Sequence, residues 1–200
     1  MRVLDLFAGL GGFSRPFRDR GHAVVTVDLN PSFDPDLCVD VRELGFPSTL
    51  LGTDRFDVVL ASPPCERFSV ASIRYHWKDF RPSSQVAEAL GVVACAVRLI
   101  AEIGPTYWVV ENPDGMLKRL LGQPKETLYL CSYGAKWKKP TDLWGRYPGF
   151  FSRACAPHEK APRGSKRGVQ GENSRAKRAE LPYALGQELC TRIEMRLGNN

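Results

Sequence analysis

Cysteine and methionine are sparse: six Cys and three Met in 200 residues. The cysteines, at positions 38, 65, 95, 131, 155 and 190, form no C-x-x-C pair, which removes the usual spacing of a zinc ribbon or a dithiol redox site. A chain of this length has no need of a disulfide framework, so reduced thiols and no metal are expected. No stretch approaches the ~18 consecutive apolar residues of a membrane span, and MRVLDLFAG lacks the charged-then-apolar order of a signal peptide. No membrane partner and a cytoplasmic location are therefore expected. No internal repeat is visible. What remains, 43% apolar residues over 200 positions, predicts one domain with a sizeable core and no room for a second full one.

Positive charge is unevenly spread. Residues 1–133 carry 14 Lys/Arg against 16 Asp/Glu, and residues 134–200 carry 14 against 6, so the two parts hold −2 and +8 of the net +6. A basic final third predicts a polyanionic partner such as nucleic acid, with a solvated basic tail as the plainer reading.

Apolar runs at Val3–Ala8 and Ala23–Leu29 read as buried parallel strands. Residues 12–20 between them can form a helix that Gly21 ends. Further strands are expected at Leu37–Val41, Phe56–Ala61 and Tyr107–Glu111, with a long helix from Ser84 to Ile103. Strands alternating with helices predict a doubly wound, mostly parallel α/β sheet with helices on both faces. Glu126–Tyr133 and Thr141–Trp144 are weaker strand candidates, and Pro182–Leu197 fits a closing helix. Residues 152–178 are rich in Pro, Gly, Ser, Lys and Arg without apolar periodicity, which predicts a loop ordered by its ligand. The expected layout is a domain over 1–150, a basic segment over 151–180 and a helix over 181–200 that packs back.

Three sequence stretches carry chemistry. Asp5-Leu-Phe-Ala-Gly-Leu-Gly-Gly-Phe-Ser14 follows the first strand, where glycines let a ligand approach the backbone and a helix offers its positive end. Asp28 lies about twenty residues beyond it, where a carboxylate can accept from ribose hydroxyls. Asp40 supplies another acceptor at the end of the third strand. The fourth strand runs into Ala61-Ser-Pro-Pro-Cys-Glu-Arg-Phe-Ser69, setting Cys65 on a rigid proline turn at the sheet's carboxyl edge. Cys38, Cys95, Cys131 and Cys190 lie in apolar patterns and read as packing residues. Glu111-Asn112-Pro113 brings a carboxyl and an amide to the end of the fifth strand. Alone, Glu111 could equally be a buried cap; beside Cys65 it reads as catalytic.

Taken together, DLFAGLGGFS, VDLN, SPPCERFS and ENP in this order resemble the DNA (cytosine-5)-methyltransferase family, most closely its small phage and prophage members. The resemblance covers residues 3–113 well and YGAKWKKPTDLWG more loosely. It implies a Rossmann-like class I methyltransferase sheet and S-adenosylmethionine as cofactor. Asp5, Phe7, Ala8, Gly9, Gly11, Gly12, Asp28, Leu29, Asp40, Val41, Ser62 and Pro63 would line the cofactor site, with Asp28 on the ribose and Asp40 on the adenine amino group. Pro63 and Pro64 would shape the turn that carries Cys65, whose thiolate would add to carbon 6 of a cytosine swung out of double-stranded DNA. Glu111 would hold the N3 edge of the base, and Asn112 would support the loop. The enzyme would act as a monomer in a bacterial or phage-infected cell, in modification or restriction-modification.

Two departures stand out. Where the family has two spaced arginines after Tyr-Gly, this chain has Lys139 and Thr141, and lysine lacks arginine's planar fork. Only about thirty residues separate Trp144 from the closing helix, too few for an independent target-recognition domain. Arg67 and Ser69 beside the catalytic turn, and Arg163, Ser165, Lys166, Arg167, Gln170, Arg175 and Lys177 in the basic segment, are the DNA-contact candidates, chiefly for phosphates. Two alternatives use the same residues: methylation of RNA or free nucleotides, and a catalytically idle cofactor- and DNA-binding regulator.

Overall fold

The computed structural model describes residues 1–45, 55–70, 73–79, 81–136, 138–151, 153–155, 177 and 179–198. Its centre is a seven-stranded sheet. In chain order the strands are β1 (Arg2–Leu6), β2 (Ala23–Asp28), β3 (Leu37–Cys38), β4 (Val58–Ala61), β7 (Tyr107–Pro113), β8 (Glu126–Tyr129) and β9 (Pro140–Arg146). A separate hairpin pairs β5 (Trp77–Lys78) with β6 (Arg81–Pro82). The helices are α1 (Arg15–Asp19), α2 (Ile73–His76), α3 (Ser84–Ile103), α4 (Lys118–Leu121) and α5 (Tyr183–Gly198).

The sheet order is β3-β2-β1-β4-β7-β9-β8. The first five strands are parallel, and β9 is antiparallel to both β7 and β8. The order in which successive strands are added reverses between the parallel neighbours β1 and β4, and a doubly wound sheet opens a crevice at such a switch point, at the carboxyl ends of its strands. DLFAG and SPPC both leave their strands at that crevice.

Period-two alternation splits the apolar residues between the faces. Leu4, Leu6, Val59, Ala61 and Val110 face one layer with Val86, Val93, Ala96, Leu99 and Ile100 of α3. Val3, Val58, Leu60, Val109 and Leu143 face the other with Phe17 of α1 and Leu185, Leu189 and Ile193 of α5. Gly104 ends α3 at φ 59°, donating its N–H to the Ile100 carbonyl.

Several boundaries differ from the sequence expectation. The third strand stops at Cys38 rather than Val41, because Asp40 turns back to accept from the Arg42 backbone N–H and guanidinium. The first helix covers only Arg15–Asp19, since residues 9–12 are spent on the glycine turn. The expected strand Glu126–Tyr133 ends at Tyr129, and Leu130–Tyr133 coil into a 3-10 turn. Conversely, β7 continues to Pro113 and β9 runs from Pro140 to Arg146, because each completes the other's ladder.

The cysteine expectations also need correction. Cys131 and Cys155 form a disulfide across 24 residues, so not all thiols are reduced. The chain after β9 returns over the 3-10 turn, where the Ser132 hydroxyl donates to the Arg153 carbonyl at 3.0 Å, and sequence spacing carries no sign of that return. Cys38 is exposed rather than packed, at the sheet edge. Cys190 is buried, and Cys95 packs against the α3-side core.

Candidate active site

Phe7 leaves β1 at φ 64°, a left-handed conformation that is uncommon for an aromatic residue. Gly9 and Gly11 follow at φ 52° and 72°, and nothing lies within 4 Å of where a side chain would start on either. The turn therefore presents bare backbone to the crevice. Gly12 is different: a Cβ there would meet the Leu181 carbonyl oxygen at 2.1 Å. Its glycine serves contact with the segment leading into α5, not an opening to the crevice.

Asp28 ends β2 and accepts from the Gly9 N–H at 2.8 Å and the Asn30 N–H at 2.9 Å, which ties the second strand end to the glycine turn. Leu29 beside it is 66% exposed. Asp40, also at this edge, is held below the usual carboxylate range by hydrogen bonds from the Arg42 side chain and backbone; Val41 after it is buried in the core. Beneath the turn, Asp5 is buried with one carboxyl oxygen lacking a partner. Burial pushes its carboxyl up to about 7, against a lowering hydrogen bond from Ser14.

The second half of the site hangs from β4 and β7. The Ser62 N–H donates to the Leu6 carbonyl at 3.2 Å, joining the β4 exit to β1. Pro63 is buried and Pro64 exposed. The Cys65 carbonyl accepts from the Phe68 and Ser69 N–H groups, both at 3.0 Å, so the turn is closed on itself. Asn112, fully buried, donates from Nδ2 to the Pro63 carbonyl at 2.9 Å. One buried amide thus fixes the proline turn to the neighbouring strand end.

Glu111 is buried on β7 and accepts from the Thr141 hydroxyl on β9. Burial raises its carboxyl, while Lys139, Thr141 and Ser62 pull it down. Burial likewise pushes the Cys65 thiol up, opposed by the positive charge of Lys139 and reinforced by Glu111 and Glu66. Cys65, Glu111, Lys139 and Thr141 therefore form one electrostatic group, and Lys139 is the cation that both acidic groups feel. A buried acid that keeps its proton beside a sulfur nucleophile can donate to a base edge while the thiolate attacks.

The sequence gives no warning of several supports. Gly115 lets the chain after β7 bridge Ser69; a Cβ there would meet the Phe68 carbonyl oxygen at 2.1 Å. The only signal would be that a glycine follows ENP-Asp by one residue. Arg67 lies 2.7 Å from the His76 ring nitrogen Nε2, and its carbonyl accepts from the Trp77 indole N–H at 2.8 Å, so the hairpin buttresses the turn that carries Cys65. Lys177 is exposed ahead of α5. Arg163, Ser165, Lys166, Arg167, Gln170 and Arg175 lie outside the described residues.

A seven-stranded, mostly parallel sheet with its site at the β1/β4 switch point is a Rossmann-like class I methyltransferase fold. A family model, "C-5 cytosine-specific DNA methylase", matches residues 1–138, and the chain belongs to that family. A Frog virus 3 protein named "Probable DNA (cytosine-5)-methyltransferase" is 35% identical over 172 residues, covering 81% of this chain and 78% of its own. Type II methyltransferase M.AplI of Arthrospira platensis is 29% identical over 119 residues, 58% of this chain but 32% of its own length. A solved E. coli structure described as a "putative DNA modification methyltransferase encoded within prophage" superposes with TM-score 0.52 at 20% identity, over 73% of this chain and 46% of that one. This chain thus spans most of the viral relative but less than half of the other two. No helix among the described residues is long and apolar enough to cross a membrane.

Proposed function

We propose that this protein transfers a methyl group from S-adenosylmethionine to carbon 5 of a cytosine swung out of double-stranded DNA, through a transient bond between Cys65 and carbon 6. The observation that carries the reading is the convergence of Cys65 on its proline turn with the buried Glu111, whose carboxyl burial pushes up, and the Lys139 charge, at the carboxyl edge of adjacent strands. A protein that only bound DNA would need neither a nucleophile nor a buried acid.

The residues present fit the cofactor. The bare backbone at Gly9 and Gly11, the orphaned buried oxygen of Asp5 and the Asp28 carboxylate make a cradle with hydrogen-bond capacity. Phe7, Ala8, Gly9 and Gly11 would surround the ligand, Asp28 would accept from ribose hydroxyls, Leu29 would cover the adenine face, and Asp40 would accept from its amino group. Ser62 and Pro63 would close the site from the β4 side. S-adenosylmethionine, when bound, supplies an electrophilic methyl carbon on a sulfonium.

Carbon 5 of cytosine is a weak nucleophile at rest. The Cys65 thiolate adds to carbon 6, an S–C bond forms, and the electron pair of the 5,6 double bond moves onto carbon 5. Glu111 delivers its proton to N3, neutralising charge where it develops, which stabilises the transition state more than the ground state. Thr141 keeps Glu111 oriented, and Lys139 favours the thiolate. Once carbon 5 carries the methyl group, its proton leaves to solvent, the freed C–H pair re-forms the 5,6 double bond as the S–C6 bond breaks with its pair returning to sulfur, and the N3 proton returns to Glu111. Swinging the base out costs a few kcal/mol, and the basic segment over residues 151–180 offsets that by neutralising phosphates.

The test is methyl transfer from labelled S-adenosylmethionine to DNA, RNA and dCMP in parallel, with the wild-type protein and Cys65→Ser. Label in DNA that disappears with Cys65→Ser, and a trapped adduct on 5-fluorocytosine DNA, are expected. Label in RNA or dCMP but not DNA would overturn the substrate, and turnover by the serine variant would overturn the covalent route.

A further inference from the structure

Three side chains meet on the face away from the crevice: His22 in the turn before β2, and Cys190 and Glu194 on α5. One ligand atom from each lies within 4.8 Å of the other two. The His22 Nε2 is 2.8 Å from Glu194 Oε1, and the Cys190 thiol is fully buried against them. We propose that His22, Cys190 and Glu194 form a binding site for a zinc-class transition-metal ion that clamps α5 onto the first strand–helix–strand unit.

The donor set selects the cation. An imidazole nitrogen, a thiol sulfur and one carboxylate oxygen suit Zn2+ and Co2+; hard cations such as Mg2+ and Ca2+ take oxygen ligands. Cys190 and Glu194 stand four residues apart on a helix, so they project from one face, and His22 closes the set from 168 residues away, a separation no local motif reveals. A thiolate and a carboxylate bring two negative charges to a dication, with the Arg20 guanidinium already paired to the carboxylate. On binding, the Cys190 S–H bond breaks, its proton passes to solvent and the sulfur pair enters the metal's coordination.

The outer shell is in place. Arg20 holds the second Glu194 oxygen, Oε2, and reaches Oε1 from Nε at 3.1 Å, while its other nitrogen accepts no role at the site but donates to the Thr191 hydroxyl at 3.1 Å. A carboxylate so oriented offers one oxygen inward, as ligating carboxylates with outer-shell partners do. The His22 side chain is 14% exposed and that of Glu194 28%, which leaves a solvent-side approach and room for water as a fourth ligand. The site would be structural. The segment entering α5 packs on Gly12 through Leu181, and Gly186 packs on Phe13, so a cation here would fix the helix behind the glycine turn.

Titration of the untagged, metal-stripped full chain with Co2+ tests this. Expected are one equivalent bound, a thiolate-to-cobalt charge-transfer band with tetrahedral ligand-field bands, and bleaching by one equivalent of Zn2+. Cys190→Ser should abolish the charge-transfer band, and Glu194→Gln, at a half-buried position where folding is less at risk, should weaken affinity at least tenfold, as removal of a ligand does. Cys65→Ser should leave the spectrum unchanged. No thiolate band in the wild-type protein, or a band that survives in Cys190→Ser or is lost in Cys65→Ser, overturns the site.

Discussion

Lys139→Gln is the sharpest probe of the catalytic arrangement. Burial drives the Cys65 thiol above its ordinary value of 9.0, two neighbouring carboxyls push the same way, and Lys139 is the main opposing charge. A unit charge close to a titrating thiol shifts it by ~1–3 pH units. Lys139 is only partly buried, so water screens it and the low end, ~1 unit, applies; that is about tenfold in thiolate fraction at neutral pH. The assay is the rate of iodoacetamide alkylation at Cys65 against pH, followed by peptide mass spectrometry so that exposed Cys38 does not interfere. Lys139→Gln should move the inflection up by about one pH unit and slow alkylation about tenfold at pH 7.5. Lys139→Arg should restore most of the rate, since it returns the charge. Methyl transfer should fall by about the same factor, since losing Lys139 pushes Glu111 further up and leaves it in its proton-donating form. An inflection identical in all three proteins would refute the claim that Lys139 supports the thiolate.

Other outcomes follow from the same geometry. Asp5 sits at about 7 in the fold against an ordinary 3.8, so its contribution to stability is present below about pH 4 and lost as pH rises through 7. In the cofactor-free protein, Asp5→Asn should therefore raise Tm at pH 8 and leave it nearly unchanged at pH 4; equal effects at both would show that Asp5 is not buried as a neutral acid. Asp28→Ala should weaken S-adenosylmethionine binding by roughly 0.5–1.5 kcal/mol per lost hydrogen bond, read by calorimetry, with DNA affinity unchanged; an unaltered titration would misplace the ribose. Gly115→Ala must displace the Phe68 carbonyl from 2.1 Å, at about 1–3 kcal/mol as for other overpacked sites, and should lower turnover more than cofactor affinity. Triple replacement of Arg163, Lys166 and Arg167 by Ala should weaken binding to all DNA sequences alike and flatten the salt dependence, whose slope is about −0.9 per phosphate contacted on duplex DNA; loss confined to one sequence would make them base readers.

The sheet was readable because its central strands are buried on both faces. Val3–Ala8, Ala23–Leu29 and Phe56–Ala61 are nearly continuous apolar runs, and a parallel strand needs that. The crevice residues were readable for a related reason: glycines, prolines and a cysteine where the strands stop are costly unless a ligand or a turn requires them. What was not readable depends on side-chain pairing and on contacts distant in sequence. Asp40 follows an apolar run, yet a nearby arginine pulls it out of the strand. Cys131 looks like a packing residue and is one, but a disulfide partner arrives 24 residues later on a returning chain. Gly12 and Gly115 look like ligand-site or turn glycines and are instead points where two backbones touch.

Those two contacts bear on how the site residues are held in place. Gly12 ties the cofactor turn to the segment entering α5, and Gly115 ties the catalytic turn to the end of β7, while Asn112 joins that same turn to β7 through the Pro63 carbonyl. The two halves of the site are thus each braced by a backbone contact from a different part of the chain. Reacting groups already oriented need less binding energy to align them. On the proposed function the labour divides: the sheet edge sets the reaction, and the basic segment beyond residue 151 holds phosphates and presents the base. Bisulfite sequencing of methylated plasmid should show a context of about two to four bases, since each bidentate base contact discriminates by only ~1–3 kcal/mol. A fixed site of six or more base pairs would contradict it and require a second subunit to read the sequence.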